Sequence, residues 1–136
     1  MAYWLIKSEP ESYGWANLVA EGRTEWTGVR NATAAINLRA MQVGDEALFY
    51  HSVSEKAVVG IVRVSRTWQP DGEGGKWASV EVEPVRALDQ PVTLAAIKAN
   101  PELAGMELLR QSRLSVCPVR PNEWAIVLTM AEGLPR

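Results

Sequence analysis

Apolar positions recur along the chain in two periods, and the switching between them divides it into short strands and short helices. Ala2-Tyr3-Trp4-Leu5-Ile6-Lys7 is apolar and β-favouring and runs into Ser8-Glu9-Pro10, which predicts a strand stopped by the proline. Ser12 is placed to cap a helix over 13–20, with Trp15, Leu18 and Val19 inward and Gly22 as its stop. A second helix is expected over 32–41, with Asn31 as N-cap and Ala32, Ala35, Ile36 and Leu38 or Arg39 at helical spacing. Residues 46–52 and 57–68 read as a hairpin turning around Ser54-Glu55-Lys56, and 77–88 alternates as a further strand after a glycine-rich loop over 69–76. Thr93 then caps a helix that Pro101 breaks, and 103–110 adds a turn or two. Residues 114–119 form a last strand, and Pro121 opens a terminal helix through Thr129 with Trp124, Val127 and Leu128 inward, past which the end should fray.

The resulting order, β-α-α-β-β-β-α-β-α, contains no repeat or linker and predicts one α+β domain over 1–136. Its sheet should be curved and mostly antiparallel, a form that can close into a small barrel flanked by helices. An apolar content of 47% in 136 residues is enough for one continuous core. No apolar run approaches the roughly 18 residues of a membrane span, and the N-terminus lacks the basic-then-apolar pattern of a secretory signal. The expectation is a cytoplasmic protein without a membrane partner. One cysteine, Cys117, and one histidine, His51, leave no disulfide framework and little metal-ligand capacity, so neither metal nor cofactor is expected. A net charge of −2 argues against indiscriminate binding along duplexes, which draws on a broadly basic surface.

Tryptophan is the compositional outlier, with six against one phenylalanine and three tyrosines. Most should pack in the core. Glu25-Trp26-Thr27-Gly28-Val29-Arg30-Asn31, however, combines a flat π surface, a flexible glycine, a cation and an amide, the parts that hold a planar hydrogen-bonding ligand such as a nucleobase. With Asn31 as N-cap, Arg30 and Asn31 stand at a helix start, where free N–H groups favour anions and acceptors.

Tyr3-Trp4-Leu5-Ile6-Lys7-Ser8-Glu9-Pro10, Trp26-Thr27-Gly28-Val29-Arg30-Asn31, Asn37-Leu38-Arg39-Ala40-Met41, Val43-Gly44-Asp45, Phe49-Tyr50-His51-Ser52 and Ser112-Arg113-Leu114-Ser115-Val116 together resemble the EVE domain family of the PUA-like superfamily, from the first strand to the last helix. The resemblance implies a PUA-like barrel and a non-catalytic reader of modified bases in DNA or RNA, related to YTH and SRA domains. It places Trp26 as the stacking wall, with Gly28 and Val29 beside it and Ser8 and Asn31 offering a hydroxyl and an amide to the base edge. Lys7, Arg30 and Arg113 would meet a few phosphates, and His51 is the candidate from the third strand. Each has an ordinary alternative: Trp26 as a packed core residue, Asn31 as a cap, Ser8 as a turn former, the cations as solvated surface.

The chain departs from the family pattern at Ala32, Ala35 and Ile36, where more polar residues are common, and in the short 69–76 loop, which in YTH relatives supplies a second cage wall. Trp68 and Trp77 flank that loop, Trp77 as a core candidate. Two enzyme readings stand against the reader. A Cys117–His51 pair would need a reactive thiol, whereas a cysteine in an apolar strand before Pro118 is usually buried and inert. A Lys7–Glu9 pair would resemble the ASCH amidohydrolases that act on modified nucleosides.

Overall fold

The computed structural model describes residues 1–132, and the expected fraying end at 133–136 lies outside the described residues. Six strands form one sheet: β1 (Tyr3–Ser8), β2 (Thr24–Trp26), β3 (Glu46–His51), β4 (Ala57–Pro70), β5 (Ala78–Thr93) and β6 (Val116–Val119). Five helices accompany it: α1 (Trp15–Glu21), α2 (Ala32–Ala40), α3 (Leu94–Ala99), α4 (Glu107–Arg110) and α5 (Pro121–Ala131). The strand order is β2-β5-β4-β3-β1-β6. Only β1 and β3 run parallel; every other pair is antiparallel.

The architecture is α+β as the pattern predicts, but the sheet does not close into a barrel. β2 pairs only with β5 and β6 only with β1, so both remain edges. β2 is three residues long and had no counterpart in the sequence reading, because so short a run shows no alternation and takes its strand character from β5, where Trp26 faces Val80. The sheet nevertheless curls. β2 is three strand steps from β3, roughly 14 Å on a flat sheet, yet the Trp26 ring lies 5.6 Å from that of Phe49 on β3. Successive register shifts in the β4–β5 ladder supply places to bend.

Local chemistry sets most helix ends. The Asn31 side chain accepts the Ala34 N–H at 2.9 Å and so starts α2, while Thr93 caps α3 through the Ala96 N–H at 3.1 Å. α5 begins at Pro121, and the Glu123 carboxylate accepts the Arg120 N–H at 2.9 Å in place of a serine or threonine cap. α1 starts two residues later than expected. Gly14, not Ser12, takes the capping position, and the Gly14 N–H donates to the Asn17 side chain at 2.8 Å. This phase buries Leu18, half-buries Trp15 and leaves Val19 53% exposed. In α2 the buried residues are Ala34, Ala35 and Leu38, so Ala32 and Ile36 face outward, contrary to the expected stripe.

A buried hub fixes the start of β3. Burial opposes ionisation of Asp45, but donors from Gln42 N–H, the Trp4 indole and Ala2 N–H outweigh it and hold the carboxyl below its usual range. On the other side of the sheet α5 stacks Trp124 against Tyr3 of β1, with centroids 4.3 Å apart. α1 is seated by Trp15, whose ring crosses β4 at Gly60: a Cβ there would come within 2.5 Å of the indole. The glycine is a packing requirement. Gly60→Ala should therefore destabilise the fold by about 1–3 kcal/mol, read as a lower thermal midpoint, and Trp15→Leu in the same background should recover part of the loss.

Candidate functional site

The first strand ends in a turn that the sequence dictates. Pro10 cannot continue β1, and the Glu9 carbonyl accepts the N–H groups of Ser12 and Tyr13 at 3.0 and 2.8 Å. The Ser8 hydroxyl donates to the Tyr13 carbonyl at 2.5 Å, drawing the turn back over the end of the strand. Tyr13 thereby stands beside Trp26, with ring centroids 6.2 Å apart and planes at 77°. Trp26 is 8% exposed, its ring edge-to-face with Phe49 below. Between these parts lies a hollow of about 550 Å³, within the ~300–1,000 Å³ usual for small-ligand sites. It is lined by the end of β1, by β2, and by Ser115 just before β6, so it occupies the gap left between the two unpaired edges of the sheet.

The segment after Trp26 is clamped from the β4–β5 loop. Gly28 adopts φ +81°, a conformation that favours glycine, and nothing lies within 4 Å of where its Cβ would be. Its role is conformational rather than steric. The turn points the Gly28 N–H at the Asp71 carboxylate, 2.9 Å away, and Arg30 donates to the same oxygen at 3.0 Å. The Gly28 N–H first, and the Arg30 guanidinium second, hold the Asp71 carboxyl below the usual carboxylate range. Arg30 also lies 5.5 Å from the centroid of the half-buried Trp77, which Lys76 covers at 4.9 Å. Trp77 and the 40%-exposed Trp68 are absent from the lining of the hollow; its second aromatic residue is Tyr13, which the sequence reading had assigned to a helix. An aromatic directly behind the Ser8-Glu9-Pro10 turn was the available signal.

Six of the expected site residues meet here: Lys7, Ser8, Trp26, Gly28, Val29 and Arg30. Lys7 donates to the Ser112 carbonyl at 2.8 Å, and burial lowers its pKa, with nearby Cys117 opposing. Asn31 and Arg113 line a second hollow of about 340 Å³, with Thr33, Arg110, Gln111, Ser112 and Leu114. The Lys7–Ser112 bond joins the two hollows, and Arg30 and Asn31 are consecutive across the divide.

His51, the candidate from the third strand, lines neither hollow. Its Nε2 accepts the Trp15 N–H at 3.1 Å and so holds the start of α1, while its Nδ1 donates to Glu55 at 2.6 Å, so both ring nitrogens are engaged. Cys117 is 1% exposed and burial pushes its thiol up to about 12. It sits opposite Leu5, which faces Leu48, three residues before His51; alternation then directs His51 to the other face of the sheet. The two are not arranged as a nucleophile and base.

The sequence matches the EVE domain family over residues 2–130. Human thymocyte nuclear protein 1 is 31% identical over 98% of this chain and 76% of its own length. The solution structure of Rpa0253 from Rhodopseudomonas palustris superposes with a TM-score of 0.93 at 45% identity, covering 100% of this chain and 97% of that one. Human THYN1 in complex with 5-methylcytosine containing DNA gives a TM-score of 0.89 at 31% identity, covering 99% of this chain and 100% of that one. The YTH domain of Zygosaccharomyces rouxii MRB1 shares the fold at 14% identity, with a TM-score of 0.58 and coverage of 98% and 88%.

The Asp71 clamp should be visible in a pH titration. Because the folded pKa is depressed, its stabilising contribution is complete above the unfolded value of about 3.9 and is lost as pH falls through the lower folded value. The Gly28 amide resonance should shift with a midpoint below that of an unperturbed aspartate, and Asp71→Asn should abolish the transition.

Proposed function

The chain belongs to the EVE domain family, and on that premise we propose that it is a non-catalytic reader that takes one modified base of a nucleic acid into the hollow beside Trp26. The carrying observation is the Trp26 ring, fixed from below by Phe49 and lining a hollow that also presents Lys7 and Ser8. Extruding a base costs a few kcal/mol, and stacking on an aromatic ring returns about 1–3 kcal/mol. Hydrogen bonds from polar groups around the hollow must supply the balance. The complex of human THYN1 with 5-methylcytosine containing DNA supports the same use of the corresponding fold here.

Phosphates fall to the cations at the rim. Arg113, with no carboxylate partner among the described residues, and the free amide N–H groups of Asn31 face the second hollow, next to the base site. Arg30 is already committed to Asp71 and serves first to shape the loop. A net charge of −2 fits few phosphate contacts, and hence a shallow dependence of affinity on salt.

One observation favours the amidohydrolase reading: Lys7 has a pKa lowered by burial and shares the hollow with Glu9. Its Nζ is, however, bonded to the Ser112 carbonyl and lies 6.0 Å from the Tyr50 ring centroid, which holds it at the wall.

Trp26→Leu, which keeps an apolar side chain over Phe49, should weaken binding of an oligonucleotide carrying 5-methylcytosine by about 10- to 100-fold in fluorescence anisotropy. Unchanged affinity in a folded variant would reject Trp26 as the platform. Arg113→Ala should weaken binding to modified and unmodified strands alike and reduce the salt slope by about one unit. Turnover of an N4-acylated cytidine, abolished by Lys7→Ala, would establish the hydrolase instead.

A further inference from the structure

Trp68 is the one aromatic among the large apolar side chains that stay exposed in the described residues, a position that core packing does not account for. From its surroundings we infer that a face formed by the β4–β5 loop and α2 carries the single strand flanking the bound base, with Trp68 as the stacking platform for a neighbouring base. The inference rests on the reader function proposed above and adds a second region of contact to it.

A break in the β4–β5 ladder puts the ring there. Between the pairs of Arg66 with Glu81 and Gln69 with Ser79, Thr67 and Trp68 stand against Val80 alone, a bulge of the kind that re-aims side chains. Val80 pairs on its other side with Trp26 of β2. The two tryptophans therefore leave backbone about two strand spacings apart, roughly 10 Å. At about 3.4 Å or more per nucleotide, a single strand covers that separation in about three nucleotides.

Cations and rings alternate from the hollow outward. Arg30 lines the hollow and lies 5.5 Å from the Trp77 centroid, Lys76 lies 4.9 Å from the same ring, and Arg39 of α2 lies 5.3 Å from the centroid of Trp68. Arg39 also donates to the Gly75 and Lys76 carbonyls at 3.2 and 2.8 Å, which ties the loop to α2 and fixes the face before a ligand arrives. Of the two acids on the loop, Asp71 is already paired with Arg30, so Glu73 alone stands against Lys76 and Arg39. Interleaved cations and aromatic rings suit a strand that offers phosphates along its path and flat bases beside it. Continuity with the hollow through Arg30 favours that strand over a protein segment.

The experiment compares single-stranded DNA of about three and about twelve nucleotides, each with one central 5-methylcytosine, by fluorescence anisotropy. Trp68→Ala should weaken binding of the long strand by about 5- to 100-fold, the worth of one stacked base, and leave the short strand unchanged. Trp68→Phe keeps a ring and should retain most of the long strand's affinity. The loss in Trp68→Ala should persist as salt is raised, because stacking releases no counterions. An unchanged long strand in Trp68→Ala would overturn the platform and leave the exposed ring to a protein partner. Equal weakening of both lengths, or a Trp68→Phe variant as weak as Trp68→Ala, would also overturn it, and in each of these cases the reader stands. Absence of binding to either length by the wild-type protein would overturn both. Both variants should keep the wild-type thermal midpoint, since the ring lies outside the core.

Discussion

The contact on which the site depends is the ring of Phe49. It is the sole phenylalanine, fully buried on β3, and it meets three other rings edge-on: Trp15 at 5.5 Å, Trp26 at 5.6 Å and His51 at 5.7 Å. Each such pair contributes about 0.5–1.5 kcal/mol beyond the area it buries, but the geometric effect matters more. Trp15 brings α1, His51 holds the first amide of that helix, and Trp26 brings the far edge of the sheet. One side chain thus draws a helix and a distant strand to the same point on β3, and the wall of the hollow is a consequence of that convergence.

The same convergence explains why an open sheet serves better here than a closed one. Had β2 and β6 paired, their edges would have consumed the gap in which the hollow lies. Instead β2 stops at Trp26, and the chain leaves it through Gly28, whose left-handed backbone turns its amide to Asp71. The edge is held by a carboxylate from the β4–β5 loop rather than by a partner strand. Polar groups at the rim remain available because the sheet does not use them.

Local chemistry made much of the fold legible. Asn31 before an alanine-rich run, Thr93 before Leu94, Pro121 at a first helical turn and Gly22 after α1 each act within four residues, and each stands where the pattern placed it. Failures occurred where a partner distant in sequence decided the outcome. β2 is a strand because β5 lies beside it, α1 begins at Trp15 with His51 accepting its first N–H from 36 residues away, and Val19 is exposed because Trp15 seated on Gly60 sets the rotation of the helix. Among the residues that line the hollow, Lys7 and Ser8 stand at the end of a strand the pattern predicts and Trp26 in the segment its neighbours mark, whereas Tyr13 enters through a turn closed by the Ser8 hydroxyl.

By itself, then, the sequence determined the α+β class, the positions of most elements and the presence of an aromatic, cationic segment at Trp26 to Asn31, since propensity, capping and alternation are properties of neighbouring residues. Only the tertiary structure decided that the sheet stays open, that Arg30 and Asn31 face different hollows, and that His51 is spent on a helix start. Those outcomes rest on contacts between residues tens of positions apart, whose geometry follows from packing and is not written in their spacing.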